Sequence, residues 1–447
     1  MLRCPVRPRV LFSVLALAAA AVAADDSDAL LTRIRARINE NVKQLPRYTC
    51  IQTVRRERLA LPAPTRSCDA SITPELNRTV TWSDRLRLDV AVGDEKDLYS
   101  WVGASRFDND EVRQLAARGM SASGEFANLL AGVFGGDARD FLLTGPATYS
   151  FNTPQNHSHF LYGTNSGRLT VGYHGTFQAD PTSSDLRRLT ISAENLPGNV
   201  CRMEHSVDYA RQTIGGSDFL LPSTSSVDVL YIDGTESRNQ TAYSGCRQYL
   251  GESTIHFEGE NSSGSPESSS GNNVAALLPL PPKTRLHIRI SPPLDTATAA
   301  AGDQIIGVVT SQVKDNGRVL ASTGDKLLGR IVRLEHVTTT PSVAPPPPSA
   351  QQAAQMQLFG QRQPTGITST WVLAVVFDTL ERGGATQPVK LRPLDDGYRT
   401  IAGVATGQGV TQADRPAGGG MFIFRPEGGL ILDQKFESAW ETQASTH

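Results

Sequence analysis

The eight residues 85–92, RLRLDVAV, decide the fold class. Leu86, Leu88, Val90 and Val92 alternate with Arg85, Arg87, Asp89 and Ala91. A period of two puts the apolar set on one face of a strand and the polar set on the other, as in a sheet packed on one side and wetted on the other. Residues 98–102 read as the returning strand, and 48–59, where β-branched and polar residues mix, as the one before it. Downstream, strands are expected at 147–152, 159–162, 169–173, 187–193, 203–210, 225–232 and 247–257. Turn signals separate them: Asp180-Pro181, Pro197-Gly198, Gly215-Gly216 and Asp233-Gly234.

Two segments read as helices. Leu30, Leu31, Ile34, Ile38, Val42 and Leu45 recur at three- and four-residue intervals after a cap at Ser27 or Asp28, and Pro46 ends the run. Within 125–134, Phe126, Leu129, Leu130 and Val133 share a face, and Gly135-Gly136 closes it. The element order predicts an α+β domain over 25–258, a mostly antiparallel sheet packed on one or two helices.

Composition shifts at Gly259. From there to Asn273 the chain is almost entirely Gly, Ser, Asn, Glu and Pro, too polar to order itself by burial, so 259–282 reads as a flexible linker. Residues 283–447 are expected to form a small all-β barrel or sandwich. Its strands are placed at 286–290, 304–313, 318–322, 326–334, 370–378 and 389–393, with a last pair at 420–425 and 429–436. A disordered insertion at 338–366 interrupts it, carrying four consecutive prolines from Pro345 and a Gln/Ala-rich tract with a possible short helix at 351–358.

The N-terminus reads as an address. Arg3, Arg7 and Arg9 precede a short apolar run, and Ala21-Val22-Ala23 gives the small-x-small pattern of a cleavage site, so 1–24 is expected to be a signal peptide. No Cys follows the apolar run directly, which predicts a soluble periplasmic or secreted protein rather than a lipid-anchored one. Cys4 leaves with the leader. Cys50, Cys68, Cys201 and Cys246 remain, and an even count in an oxidising compartment reads as two disulfides. Of the three possible pairings the local one is expected, Cys50 with Cys68 and Cys201 with Cys246, because each pair flanks what read as adjacent strands.

The net charge is −2, about −5 once the three leader arginines are removed. That balance lacks the basic excess of a nucleic-acid binder. Outside the first 24 residues no run of 18 apolar residues occurs, so no helical transmembrane segment is expected after signal removal. The sequence holds no G-x-S-x-G, no H-E-x-x-H, no Walker A loop and no complete G-x-G-x-x-G; Gly407-Gln408-Gly409 stops after two glycines. Ser311-Gln312-Val313-Lys314 fits S-x-x-K but lies in a β-branched run, where positions three apart face opposite sides. His157 and His159 would share one side of a strand, with His174 on a later one, and three imidazoles are a Zn²⁺ or Cu²⁺ donor set. The polar, turn-like 152–156 favours exposed hairpin histidines instead. No catalytic residue, metal or cofactor is assigned, and Trp82, Trp101, Trp371 and Trp440 read as core or rim residues.

An N-terminal amphipathic helix, then Tyr48-Thr49-Cys50, a strand series, and 173–189 with Gly175-Thr176-Phe177, Asp180-Pro181 and Leu186-Arg187-Arg188-Leu189 resemble uncharacterised exported proteins of soil bacteria. More distantly, this half of the chain resembles the periplasmic lipoprotein-carrier fold family, which implies a curved antiparallel sheet wrapping helices and an apolar concave face. In the second half, Ala301-Gly302-Asp303 and then Gly324-Asp325-Lys326-Leu327-Leu328-Gly329-Arg330 are similar to the β-barrel domain of conjugation-type secretion channel proteins. The Pro/Gln insertion and the missing membrane helix depart from that pattern, so the resemblance implies an interaction barrel rather than a channel subunit. The resulting expectation is a non-enzymatic cell-envelope protein that binds an apolar ligand or an envelope protein partner on the concave side of its sheet. An exported hydrolase acting on polysaccharide or peptide, and a purely structural envelope protein, are the alternatives.

Overall fold

The computed structural model describes residues 12–72, 77–93, 96–104, 112, 128–164, 167–248, 279–339, 368–395, 397–398, 419–426, 429–433 and 435–444. Its first part contains α1 (Phe12–Gln44), β1 (Tyr48–Ala60), α2 (Cys68–Ile72), β2 (Thr79–Gly93), β3 (Lys96–Trp101), α3 (Asn128–Gly135), β4 (Arg139–Gly145), β5 (Thr148–Thr153), β6 (Leu161–Thr164), β7 (Gly167–Thr170), β8 (Tyr173–Ala179), β9 (Leu186–Ala193), β10 (Val200–Ile214), β11 (Ser217–Tyr231) and β12 (Glu236–Gln248). The second part contains β13 (Arg285–Ile290), β14 (Leu294–Asp295), β15 (Gln304–Val309), β16 (Val313–Asp315), β17 (Arg318–Ala321), β18 (Lys326–Thr339), β19 (Thr368–Arg382), β20 (Ala385–Pro388), β21 (Leu391–Pro393), β22 (Gly397–Tyr398), β23 (Gly420–Phe424), β24 (Ile431–Leu432) and β25 (Glu437–Thr442).

Pairings in the first part run β4-β5-β8-β9-β10-β11-β12-β1-β2-β3, antiparallel throughout. Most neighbours are consecutive in sequence, but β1 is inserted between β12 and β2. The second part runs β21-β25-β13-β15-β18-β19-β23-β22, antiparallel except for β22 with β23. Phe377 on β19 meets Trp440 on β25 with ring centroids 5.2 Å apart, although β18, β15 and β13 lie between them in the ladder. That sheet therefore curls on itself around one buried core, which includes Leu286, Ile288, Leu327, Leu373, Phe422 and Trp440.

The two parts meet on one edge of β2. Trp82–Asp84 pair with Val337–Glu335 of β18, and Leu88–Gly93 pair with β3. Between these ladders the Arg87 amide donates to the Ala301 carbonyl at 2.7 Å, and the Ala301 amide donates to the Arg85 carbonyl at 2.9 Å. Gly302 makes this approach possible: its φ is +107°, and a Cβ there would stand 1.9 Å from the Arg87 carbonyl oxygen. Asp303 closes the same turn on the Ala300 amide at 2.9 Å, as Asp325 does on the Ser322 amide at 2.7 Å. The two Gly-Asp pairs singled out in the sequence are thus matching turns, each launching a strand, β15 and β18. One antiparallel sheet runs through both parts, and of the linker expected at 259–282 only 279–282 fall among the described residues.

Several expectations need correction. The first helix is described from Phe12 and runs through Ser27 and Asp28 instead of being capped there, because the Ala-rich stretch before them favours helix and contains no breaker. The second helix is described from Asn128, and 125–127 lie outside the described residues. Strands β4, β8 and β25 were not expected; of the strand expected at 247–257, residues 247–248 end β12 and 249–257 lie outside the described residues, and β12 itself is polar on both faces and shows no alternation. The expected final hairpin does not form: β23 pairs with β19, and β24 pairs with β14. His157 ends a one-turn 3₁₀ segment, Gln155–His157, instead of starting a strand. Ser311 lies in the turn between β15 and β16, not in one continuous strand. Of the 338–366 insertion, Thr338 and Thr339 continue β18 and 340–366 lie outside the described residues, as do 351–358 and Gly407-Gln408-Gly409.

Cys50, Cys68, Cys201 and Cys246 all form disulfides, but the local pairing is wrong. Cys50 bonds Cys246, and Cys68 bonds Cys201. The strand beside Cys50 is β12, 196 residues away, because β1 closes the meander from the far side. A chain-entropy treatment assigns a loop of that size about 5 kcal/mol, against about 3 kcal/mol for the short loop of the local pairing. Non-reducing peptide mapping should recover Cys50 linked to Cys246. The double substitution C50S/C246S should lower the unfolding free energy in urea by up to about 5 kcal/mol.

Candidate functional site

The long sheet of the first part has a buried face and a wet face, and the cross-strand registers show what each carries. One row on the buried face reads Tyr149, Phe177, Leu189, Val207, Ser225, Thr241, Val54, Leu86. The next reads Phe151, Gly175, Ile191, His205, Val227, Asn239, Arg56, Asp84, Glu335. Both rows begin aromatic at β5; the first passes through Ser225 and Thr241 and returns to apolar Val54 and Leu86, whereas the second turns polar at Asn239 and stays polar through Arg56, Asp84 and Glu335.

The aromatic end lies under the helices. Ile34 and Ile38 of α1 and Leu130, Val133 and Phe134 of α3 pack into one cluster with Tyr149, Phe151, Tyr173 and Phe177. Phe134 meets Phe177 edge-on at 5.0 Å, and Tyr149 stacks on Phe177 at 5.1 Å. Gly175 lets Phe151 lie flat across β8, since a Cβ there would sit 2.7 Å from the Phe151 ring. A few polar contacts fix α1. The Asn41 carboxamide grips Leu220 twice, Nδ2 donating to its carbonyl at 2.9 Å and Oδ1 accepting from its amide at 2.8 Å. Arg35 and Asn39 donate to the Phe134 carbonyl near the end of α3, where helical carbonyls lack internal partners. Arg37 reaches Asp185 at 3.4 Å, and Asp185 also pairs with Arg211, whose hydrogen bond holds that carboxyl below the usual carboxylate range.

The polar end holds an ionic network at the seam. The Arg56 guanidinium, 1% exposed, forks onto Asp84 at 2.8 and 2.5 Å and lies over the Trp82 ring at 5.6 Å. Glu335 stands directly across from Asp84 and accepts from Arg333 at 2.7 and 2.8 Å and from the Trp82 indole at 3.3 Å. Burial pushes the Asp84 carboxyl above its ordinary value; the Arg56 fork pulls it back and Glu335 adds to the rise. Next to Arg56 in the row is Asn239. Its side chain is buried, with the residue 3% exposed, and among the described residues neither Nδ2 nor Oδ1 has a hydrogen-bond partner. A buried amide left unpaired costs about 1–3 kcal/mol for each unsatisfied group.

The wet face is different in kind. A row of small polar residues, Ser150, Thr176, Thr190, Ser206, Ser226 and Gln240, crosses six strands, and Thr190 and Ser206 share a hydrogen bond of 2.9 Å. Its Ser206, Ser226 and Gln240 line an open depression of about 410 Å³ flanked by Arg55, Arg188 and Asp208.

The sequence-derived candidates do not converge. His159 Nδ1 pairs with Asp137 at 2.8 Å and His174 Nδ1 with Glu194 at 2.8 Å, so each imidazole is held by a separate carboxylate. Among the described residues no three His, Cys, Asp or Glu side chains gather as a metal site. Trp101 and Trp440 are buried in the cores, Trp82 is part of the seam, and Trp371 stacks on His336 at 4.6 Å. Sequence reading missed Arg56, Asp84, Asn239 and Glu335. In Arg55-Arg56-Glu57-Arg58 both faces are charged, so alternation could not reveal the inward arginine.

No protein-family model matches the chain, and no curated protein matches it. Among solved structures it is similar to a LolA superfamily protein from Nitrosomonas europaea, at 10% identity and a TM-score of 0.22, over 48% of this chain and 92% of that one. Among the described residues no helix is long and apolar enough to cross a membrane.

The seam network generates a mutational prediction. R56M leaves Asp84 buried without its cation and should cost about 3–5 kcal/mol in urea unfolding, whereas R56M/D84L should recover most of that loss. Equal losses for the single and double variants would show that the pair is not isolated from water.

Proposed function

We propose that the protein is an exported, non-enzymatic binding protein of the cell envelope. The buried sheet face beneath α1 and α3 receives an apolar ligand, and the β13–β25 part serves as a module for an envelope protein partner. The observation that carries this reading is the aromatic surface of Tyr149, Phe151, Tyr173 and Phe177, roofed by two helices whose own contacts are apolar side chains and a handful of polar anchors. Such a roof can lift without breaking a sheet ladder. The two disulfides join sheet to sheet and sheet to α2, so they brace the floor and leave α1 and α3 untied. Disulfide-bonded β-rich proteins belong to oxidising compartments, which supports an extracytoplasmic setting.

The test is extraction with chloroform and methanol of protein purified from its native envelope, followed by mass spectrometry, with binding of 1-anilinonaphthalene-8-sulfonate measured on the extracted protein. A co-purifying amphiphile near one per chain, and dye binding that increases after its removal, are expected. Recovery of nothing together with no dye binding would contradict the reading and favour a purely structural role.

A further inference from the structure

We infer that the polar end of the enclosed face, centred on Asn239, is a subsite for a neutral amide, so that the ligand is an amide-bearing amphiphile rather than a fatty acid or a plain hydrocarbon. This rests on the apolar-ligand reading above and specifies its chemistry. Asn239 is 3% exposed, and both the donor and the acceptor of its carboxamide lack partners among the described residues. Local rules are broken in this way mostly where a site is kept for function. The same chain shows how a buried carboxamide is satisfied: Asn41 pairs its donor and acceptor with the carbonyl and amide of Leu220. An incoming amide offers Asn239 the same complement, one C=O and one N–H side by side.

The surroundings select against other heads. Arg56 is next in the row, but its fork is already engaged by Asp84, so its charge is balanced for a carboxylate or phosphate arriving at Asn239. A bare hydrocarbon would leave both carboxamide atoms unpaired. Tail placement follows from the register. From Asn239 on β12 the row passes Val227 and His205 to Ile191 on β9, three strands or about 14 Å away at ordinary strand spacing. Gly175 and Phe151 continue it into the aromatic surface under the helices.

The experiment uses the disulfide-bonded full chain, wild type and N239L, at pH 8. Oleamide, oleate and methyl oleate compete for bound 1-anilinonaphthalene-8-sulfonate, and thermal midpoints are recorded without ligand. Wild type should prefer oleamide by about tenfold or more, the factor two net hydrogen bonds supply, and N239L should shrink the gap to about twofold or less. The ligand-free N239L chain should melt no lower than wild type, because an unpaired amide has been replaced by an apolar side chain of similar size. Equal competition by all three amphiphiles, or a preference that survives in N239L, would overturn the amide subsite and leave the apolar-ligand reading standing. A lower midpoint for N239L would also overturn it, because the carboxamide would then be satisfied within the fold. No competition by any of the three would remove the apolar-ligand reading itself.

Discussion

The free edge of β2 is the constraint on which the rest of the structure depends. An exposed strand edge is a row of unpaired donors and acceptors. Here three separate pieces of chain share one: β18 over Trp82–Asp84, the Ala301 turn over Arg85 and Arg87, and β3 over Leu88–Gly93. The middle piece fits only because Gly302 has no side chain to strike the Arg87 carbonyl. Side chains reinforce the backbone at the same place. Arg85 donates to the Ala297 carbonyl at 2.7 Å, Arg87 pairs with Asp303, and Arg330 donates to the Val102 carbonyl at 2.9 Å. The two parts of the chain are therefore joined by sheet hydrogen bonds as well as by a connecting segment.

This join shapes the buried face. The row that begins with Phe151 ends at β1, β2 and β18, where Arg56, Asp84, Arg333 and Glu335 place two cations against two carboxylates. Charges so far from water are tolerated only in pairs with their hydrogen bonds made. Along this row the face runs from an aromatic end, covered by α1 and α3, to a polar end fixed by the seam, and Asn239 lies between them. A gradient of that kind suits a molecule with a tail and a neutral head better than one of uniform polarity.

Much of this architecture was legible in the sequence, for identifiable reasons. Leu86, Leu88, Val90 and Val92 alternate cleanly because β2 has one face in the core, and Ile34 and Ile38 recur at helical spacing because α1 lies on a sheet. The remainder was hidden where position depends on distant chain. Cys50 finds Cys246 only once β1 has been placed next to β12, a fact no local spacing contains. Strand β12 carries polar residues on both faces because its inward side belongs to the polar end, so Asn239 looks like any solvent-facing residue in sequence. Arg56 is similarly masked by charged neighbours on both sides. The histidines drew attention because their residue type suggests chemistry, yet His159 and His174 are taken by different carboxylates and His157 ends a 3₁₀ turn.

The most direct measurement is hydrogen exchange of the intact, disulfide-bonded chain, resolved to the segments containing Arg87 and Ala301. If β2 joins both parts in one sheet, these two amides exchange slowly and lose protection together with the core of β18 and β19 as urea is raised. Fast exchange at Arg87 and Ala301 while β18 and β19 stay protected would mean that the parts fold apart, and the enclosed polar end described here would not exist.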